Sequence, residues 1–459
     1  MQMKLLNKNP YILELPYKIV YFIFAIFTYC NLTFMQPIMT VAVNAVLLFG
    51  SLTGLLRLFK LKGYLKTPGL GFAIAFFISF ILSFLLNIEY GYADNFKGLV
   101  WMGLHFFTIF ACDLDRDEQD YQREFSVLTI FYLAVFFVMS AASFVQYLAN
   151  YSQELYLDTH TQLAGFVWGR LWGVYRDPNY GSAFAVIAIV LSVYYIRTRK
   201  ALLIRIFLIL NAVIQFLYLT LSGSRTGIVT LFACALFYSF LVCFRKFEFK
   251  PFLKVTLSVA VSLAIAVIGV CLVSATKQVN NKLIEIQYQD QTGDDQPDSP
   301  PSYDEDRQQD IENDISNRRF DLWRSGVEIF ATKPIFGVSF YNLQPYALAE
   351  LPDTYLVNND RGKFNNMHNL VFNILPAQGA VGFLVFVAFA LFAVVYIFKN
   401  LFKEQTEHYE YLVVMMVCII GILVSSLFVS DVIYVNSPTS LLFWLFLGYL
   451  LHFFKRKKV

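Results

Sequence analysis

Arg225 is the most unusual charge in this chain. It sits in Leu221-Ser222-Gly223-Ser224-Arg225-Thr226-Gly227, between two long apolar runs. A permanently charged guanidinium at such an edge is costly unless it meets water or a partner. It reads either as an arginine in a tight turn reaching lipid headgroups, or as a clamp that matches diphosphate oxygens in pairs. Arg176, in Arg176-Asp177-Pro178-Asn179-Tyr180, and nearby Arg170 put more positive charge ahead of another apolar run, although Asp-Pro and Pro-Asn also signal a helix start. Further on, Arg319 lies four residues after Ile315 and four before Trp323. On a helix that spacing sets it on or beside an apolar face, either snorkelling at a membrane surface or aimed at an anion. His368, in Met367-His368-Asn369, closes the longest hydrophilic stretch. An imidazole titrates near neutrality and can accept a hydroxyl proton, but a lone histidine is also a common packing residue. Asp431 is a second candidate base or a helix end.

These residue types provide for binding a membrane-held dianion and for proton transfer. No metal site is expected. HExxH, GxSxG, P-loop and GxGxxG patterns are absent, and no DxD pair is placed for a divalent ion. Asp294, Asp295, Asp304 and Asp306 lack the spacing of a calcium loop. The six cysteines lie in or at the ends of apolar runs without CxxC or Cys/His spacing, and read as packing residues.

The elements that must position these residues are membrane helices. Of 459 residues 57% are hydrophobic and 15% charged, well outside the soluble range. The net charge of +3, without a basic patch, excludes a nucleic-acid partner. The fold class expected is an all-α polytopic membrane protein with about twelve transmembrane helices. They fall near 19–35, 38–58, 70–87, 98–112, 126–149, 180–196, 203–221, 226–244, 253–274, 370–398, 411–429 and 441–454. The first run is followed at once by others and lacks a cleavage site, so no signal peptide is expected.

Lys and Arg crowd the loops on one side of this arrangement, whereas the short loops on the other hold only Lys97, Arg170, Arg176 and Arg225. The positive-inside rule then places both termini in the cytoplasm and the long loop outside. Three segments result: spans one to nine in residues 1–274, a large extracytoplasmic loop in 275–369, and spans ten to twelve in 370–459. Within the loop, 286–314 is acidic and rich in Pro, Ser and Gln, and reads as a flexible insertion. Residues 315–331 read as an amphipathic helix with Ile315, Leu322, Trp323, Val327 and Phe330 on its apolar face, stopped by Pro334 and Gly337. ATP and nucleotide sugars are absent outside the cell, so a reaction there needs a preactivated donor.

Four pieces in order carry a resemblance. Asp177-Pro178-Asn179-Tyr180 ahead of a span, Ser222-Gly223-Ser224-Arg225-Thr226-Gly227 opening a span, Arg319-Phe320-Asp321-Leu322-Trp323 with Pro334-Ile335-Phe336-Gly337 in the long loop, and His368-Asn369 with Gly379 and Gly382 resemble the bacterial O-antigen ligase and O-antigen/capsule polymerase superfamily. The resemblance covers about residues 170–400. Two departures stand out: Ala377 and Gln378 occupy a place where the family often has an acidic residue, and Ser339 one where a second glycine is common.

The resemblance implies a metal-independent, cofactor-free, inverting glycosyltransferase of the GT-C type in the bacterial cytoplasmic membrane. Its donor would be an oligosaccharide on undecaprenyl diphosphate. Carried over by position, Arg225 and Arg319 would hold the diphosphate, Arg176 and Arg318 would assist, and His368 would orient or deprotonate the acceptor hydroxyl. Asn179 and Asn369 would contact diphosphate or glycan. The implied activity is polymerisation of lipid-linked repeat units into capsule, exopolysaccharide or O-antigen chains, with a flippase and a chain-length regulator as partners. A ligase moving finished glycan to lipid A core, protein or wall polymer would use the same apparatus. A flippase or transporter is the reading from another class; it calls for inverted repeats and charges buried in mid-span, and neither stands out in the sequence.

Overall fold

The structure is a computed structural model that describes residues 11–31, 36–156, 161–292, 318–359, 364–404 and 406–457. Its main helices are α1 (Glu14–Thr28), α2 (Gln36–Arg57), α3 (Leu70–Leu85), α4 (Tyr92–Leu104, continued by a π-turn at His105–Phe110), α5 (Glu118–Leu148), α6 (Pro178–Thr198), α7 (Leu202–Leu221), α8 (Arg225–Lys246), α9 (Pro251–Thr292), α10 (Arg319–Thr332), α11 (Leu343–Glu350), α12 (Leu370–Leu401), α13 (Tyr409–Ser425) and α14 (Pro438–Arg456). Each of the twelve apolar runs falls on a helix. Among the described residues, seven stretches are long and apolar enough to cross a membrane, and α3 and α13 are apolar but shorter. The chain is a multi-pass membrane protein.

The all-α expectation needs one correction. The loop between the fifth and sixth runs carries an antiparallel sheet of β1 (Ser152–Tyr156), β2 (Thr161–Val167) and β3 (Arg170–Gly173), in the order β1-β2-β3. Leu163, Gly165 and Val167 along β2, and Leu171 and Gly173 along β3, are buried at a spacing of two. Trp168 and Gly169, both at positive φ (50° and 66°), form the two-residue turn between β2 and β3. The segment is short and rich in glycine and aromatics, and a search for membrane-length runs passes over it.

Helix α9 also runs on past the ninth expected span, through Thr292. Residues 293–317, most of the segment read as an insertion, lie outside the described residues.

The chain divides into two units. The first holds Met1–Thr28, Leu32–Ile130 and Arg319–Val459; the second, here the central unit, holds Tyr29–Asn31 and Phe131–Arg318. In the central unit α6 packs on α7 and α8, α9 packs on α8 and α7, and β3 touches α6 and α7. Polar side chains fasten it where no water competes: Ser140 Oγ donates to Gln215 Oε1 at 2.8 Å, and Tyr132 Oη to Phe184 O at 2.8 Å.

The first unit contains a buried ionic cluster. Glu14 meets Arg57 at 3.0 Å, Arg116 at 2.9 Å and Lys18 at 3.7 Å; Glu124 meets Lys18 and Arg116, each at 2.6 Å. None of the five is more than 7% exposed. Lys18, Arg57 and Arg116 are therefore not free to face headgroups, as loop cations would; they join the ends of α1, α2 and α5. Removing one partner strands the others. Glu14→Ala is expected to cost about 3–5 kcal/mol, read as lower thermal stability of the detergent-solubilised protein, and an unchanged midpoint would refute it.

Candidate functional site

In the central unit, three sequence candidates come together around two helix starts. Asp177 caps α6, its Oδ1 accepting from Asn179 N at 2.6 Å, with Pro178 at the first helical position. Ser224 caps α8, its Oγ accepting from Gly227 N at 3.1 Å. Gly223, at φ 59°, makes the turn that brings the chain from α7 to that cap. The two caps are tied: Ser224 Oγ donates to Asn179 Oδ1 at 3.0 Å. Arg225, the first residue of α8, is exposed. Arg176 is exposed too, its backbone N donating to Tyr29 O at 2.9 Å. Two helix N-termini with arginines at their mouths favour an anion by dipole and by charge.

The sequence reading did not single out Arg170 as a site residue. It opens β3, donating from Nε to Ser222 O at 2.8 Å and from Nη2 to Asn179 Oδ1 at 3.0 Å. Burial pulls its pKa below the ordinary guanidinium value; Asp177 and Tyr218 oppose this and Arg225 adds to it. The signal in the sequence was its place between Trp168-Gly169 and Asp177-Pro178, legible only once the hairpin is seen.

In the first unit, α12 begins at Asn369, whose Oδ1 accepts from Val371 N at 2.8 Å and Phe372 N at 3.2 Å, while Nδ2 donates to Leu427 O at 2.8 Å. Both ends of this amide are committed to backbone. His368 precedes it at φ 49°, a left-handed conformation that a non-glycine residue holds at some cost. Its backbone N donates to Asn366 Oδ1 at 2.8 Å, and Ser430 Oγ donates to the same oxygen at 2.9 Å. Asn373 closes the loop, its Nδ2 on Ser430 Oγ and its Oδ1 on Met367 N, each at 2.8 Å. The His368 turn is thus fixed on three sides by asparagines.

Arg319 opens α10, half-buried, its guanidinium carbon 5.7 Å from the centre of the Phe428 ring. Phe428 thus meets Arg319, while its neighbours Leu427 and Ser430 bond to the asparagines around His368, so segment 427–430 lies against both candidates. Arg318, just before, is exposed at φ 63°. Trp323 Nε1 donates to Met367 O at 3.2 Å, and its ring stacks on Phe372 at 4.9 Å. The buried face of α10 is Leu322, Ser325, Gly326 and Ile329, whereas Val327 is 48% exposed. The apolar stripe read from the sequence is rotated, because small residues let α10 approach the start of α12 closely.

The glycines of the loop and of the following span act as a pair. Helix α12 is broken at Gly379 (φ 62°, ψ −165°). The break frees backbone groups that no water can reach, and residues 334–339 satisfy them: Val338 N donates to Pro376 O and Ser339 N to Ala377 O at 2.9 Å, while Ala380 N donates to Pro334 O at 2.8 Å and Val381 N to Ile335 O at 3.1 Å. Gly337 is at φ 67°. Ser339 stands at φ 71°, a conformation that suits glycine, and its Oγ donates to Asn95 Oδ1 at 2.5 Å. Gln378, beside the break, donates to Tyr434 Oη at 2.6 Å.

Asp431 is fully buried, accepting from Ser425 Oγ at 3.0 Å, Ser437 Oγ at 2.8 Å and Thr439 Oγ1 at 2.6 Å. Those bonds occupy it in joining α13 to α14. Among the described residues no cluster of His, Cys, Asp or Glu could hold a metal ion.

A comparison with protein families matches residues 210–387 to the model described as O-antigen ligase. No curated protein matches the chain. The matched region takes in the Ser222–Gly227 turn, α10, the His368 cap and the break at Gly379. At residues 210–387 the chain carries the domain of an O-antigen ligase/polymerase-like family.

Proposed function

We propose that the chain joins undecaprenyl-diphosphate-linked oligosaccharide repeat units into capsule, exopolysaccharide or O-antigen chains at the outer face of the bacterial cytoplasmic membrane, with a GT-C-type arrangement of twelve spans. The observation that carries this reading is that the family match encloses Arg225, Arg319 and His368, all at helix starts, with Arg225 following the Ser224 cap and His368 in a turn held by asparagine bonds. Arg176 and Arg318 add charge beside them, and Asn179 and Asn369 hold the two helix starts.

In the reaction His368 takes the proton of the acceptor hydroxyl, and the oxygen attacks the anomeric carbon of the donor sugar. The bond from that carbon to the phosphate oxygen breaks with inversion. Undecaprenyl diphosphate leaves, its new charge met by Arg225 and Arg319. No metal ion and no cofactor takes part, and a flippase supplies the donor while a chain-length regulator sets the product.

A ligase would use the same residues on a different acceptor. The Arg176-Asp177-Pro178-Asn179-Tyr180 stretch favours the polymerase. The transporter reading gains nothing from the buried ionic cluster, whose charges pair with one another at helix ends. Deleting the gene separates the readings. A polymerase deletion leaves single repeat units on the lipid carrier. Full-length chains stranded on the carrier would instead identify a ligase, and loss of lipid-linked units from the outer face a flippase.

A further inference from the structure

Arg170 holds a position that charge alone does not explain. Its two hydrogen bonds reach two helices: Ser222 O lies at the end of α7, on the way into the α8 cap, and Asn179 Oδ1 lies in the first turn of α6. The same Asn179 oxygen accepts from Ser224, the cap of α8. One guanidinium and one amide oxygen thus lock the Ser222-Gly223-Ser224 turn, from which Arg225 leaves. Among the described residues Arg170 makes no carboxylate ion pair, and it is half-buried with a second arginine nearby. A cation kept there at the cost of lost hydration must contribute something a neutral donor or a point charge does not. The planar fork does so: two donors in fixed directions can hold two acceptors from different helices at once. Arg170 and Asn179 lie outside residues 210–387, so the family match does not bring them in.

We propose, resting on the diphosphate role given to Arg225 above, that Arg170 is the positioning residue of that site. It fixes the direction of Arg225 through Ser222 and Asn179, and acts on the leaving diphosphate only through that residue. Lysine keeps the charge but cannot bridge both acceptors in one plane.

The test is a double-mutant cycle in membranes containing the chain, supplied with lipid-linked repeat units extracted from producing cells that lack it. Arg170→Lys should lower the maximal rate on the order of a hundredfold, with little change in half-saturating donor concentration. Arg225→Ala should then cost far less in the Arg170→Lys background than in the parent, because the two act as one. Asn179→Ala should reproduce both results, which guards against an Arg170 variant that fails to fold. Losses that multiply, or a fully active Arg170→Lys, overturn the positioning role and leave the site reading intact. Full activity of Arg225→Ala alone overturns the site reading, and the role of Arg170 with it.

Discussion

Arg225→Ala is expected to abolish long glycan chains in cells while single lipid-linked repeat units persist. The effect should be large because the charge on a leaving diphosphate appears only as the glycosidic bond breaks, and an arginine fixed beforehand needs no reorganisation to meet it. Loss of one such group costs roughly a hundredfold to a thousandfold in rate. The backbone at Arg225 is held in place: Ser224 caps α8, Asn179 holds Ser224, and Gly223 supplies the left-handed turn. Arg319→Ala should behave alike. Both variants should reach parental membrane levels, since Arg225 is exposed and Arg319 sits at the first residue of its helix. A gel ladder with parental chain lengths from Arg225→Ala would remove this residue from the reaction.

Gly379→Ala is expected to damage the fold rather than the chemistry. A Cβ at Gly379 would lie 2.4 Å from the Ile335 carbonyl, and one at Gly337 2.5 Å from Pro376 O. Neither neighbour is the end of a flexible side chain; both are backbone. The φ and ψ of Gly379 belong to a region that side chains essentially never enter. Relief would require residues 334–339 to withdraw from the helix break, leaving Pro376 O, Ala377 O, Ala380 N and Val381 N without partners inside the protein. Strain and lost bonds together come to roughly 3–5 kcal/mol. The measurement is the thermal unfolding midpoint of the purified protein, with protease susceptibility of the 333–342 loop as a second readout. Gly71→Ala is the control, because nothing lies within 4 Å of a Cβ there. Equal midpoints for the two variants would show that the break tolerates a side chain.

The sequence carried the membrane helices and the site candidates clearly, because both rest on local signals. Membrane-length apolar runs mark helices with little ambiguity, and arginines or a histidine at their edges are conspicuous. The helix start at Asp177-Pro178 was also legible, since a cap is written in the few residues that make it; the caps at Ser224 and Asn369 were not singled out. What escaped depends on distant partners. The β2–β3 hairpin is stapled by Asn31 N to Val174 O at 2.8 Å, a contact across more than a hundred residues. The role of Arg170 follows from that hairpin. The face that α10 buries is set by Gly326 against Met367 and Phe372 and by Ser325 against Leu356, which turns the apolar stripe partly outward. Gly337 read as a helix stop and Gly379 as a glycine within the following span, and only the docking of residues 334–339 onto the broken helix makes them one device.

The most direct test of the central claim is reconstitution: the purified full-length chain in lipid vesicles, given only lipid-linked repeat units extracted from producing cells, with a chelator present. The account predicts a ladder of products still on the lipid carrier, an inverted anomeric configuration at each new linkage, and one undecaprenyl diphosphate released for every bond formed. Unchanged single repeat units with the parental chain, or a ladder that forms equally well with His368→Ala and Arg225→Ala, would contradict it.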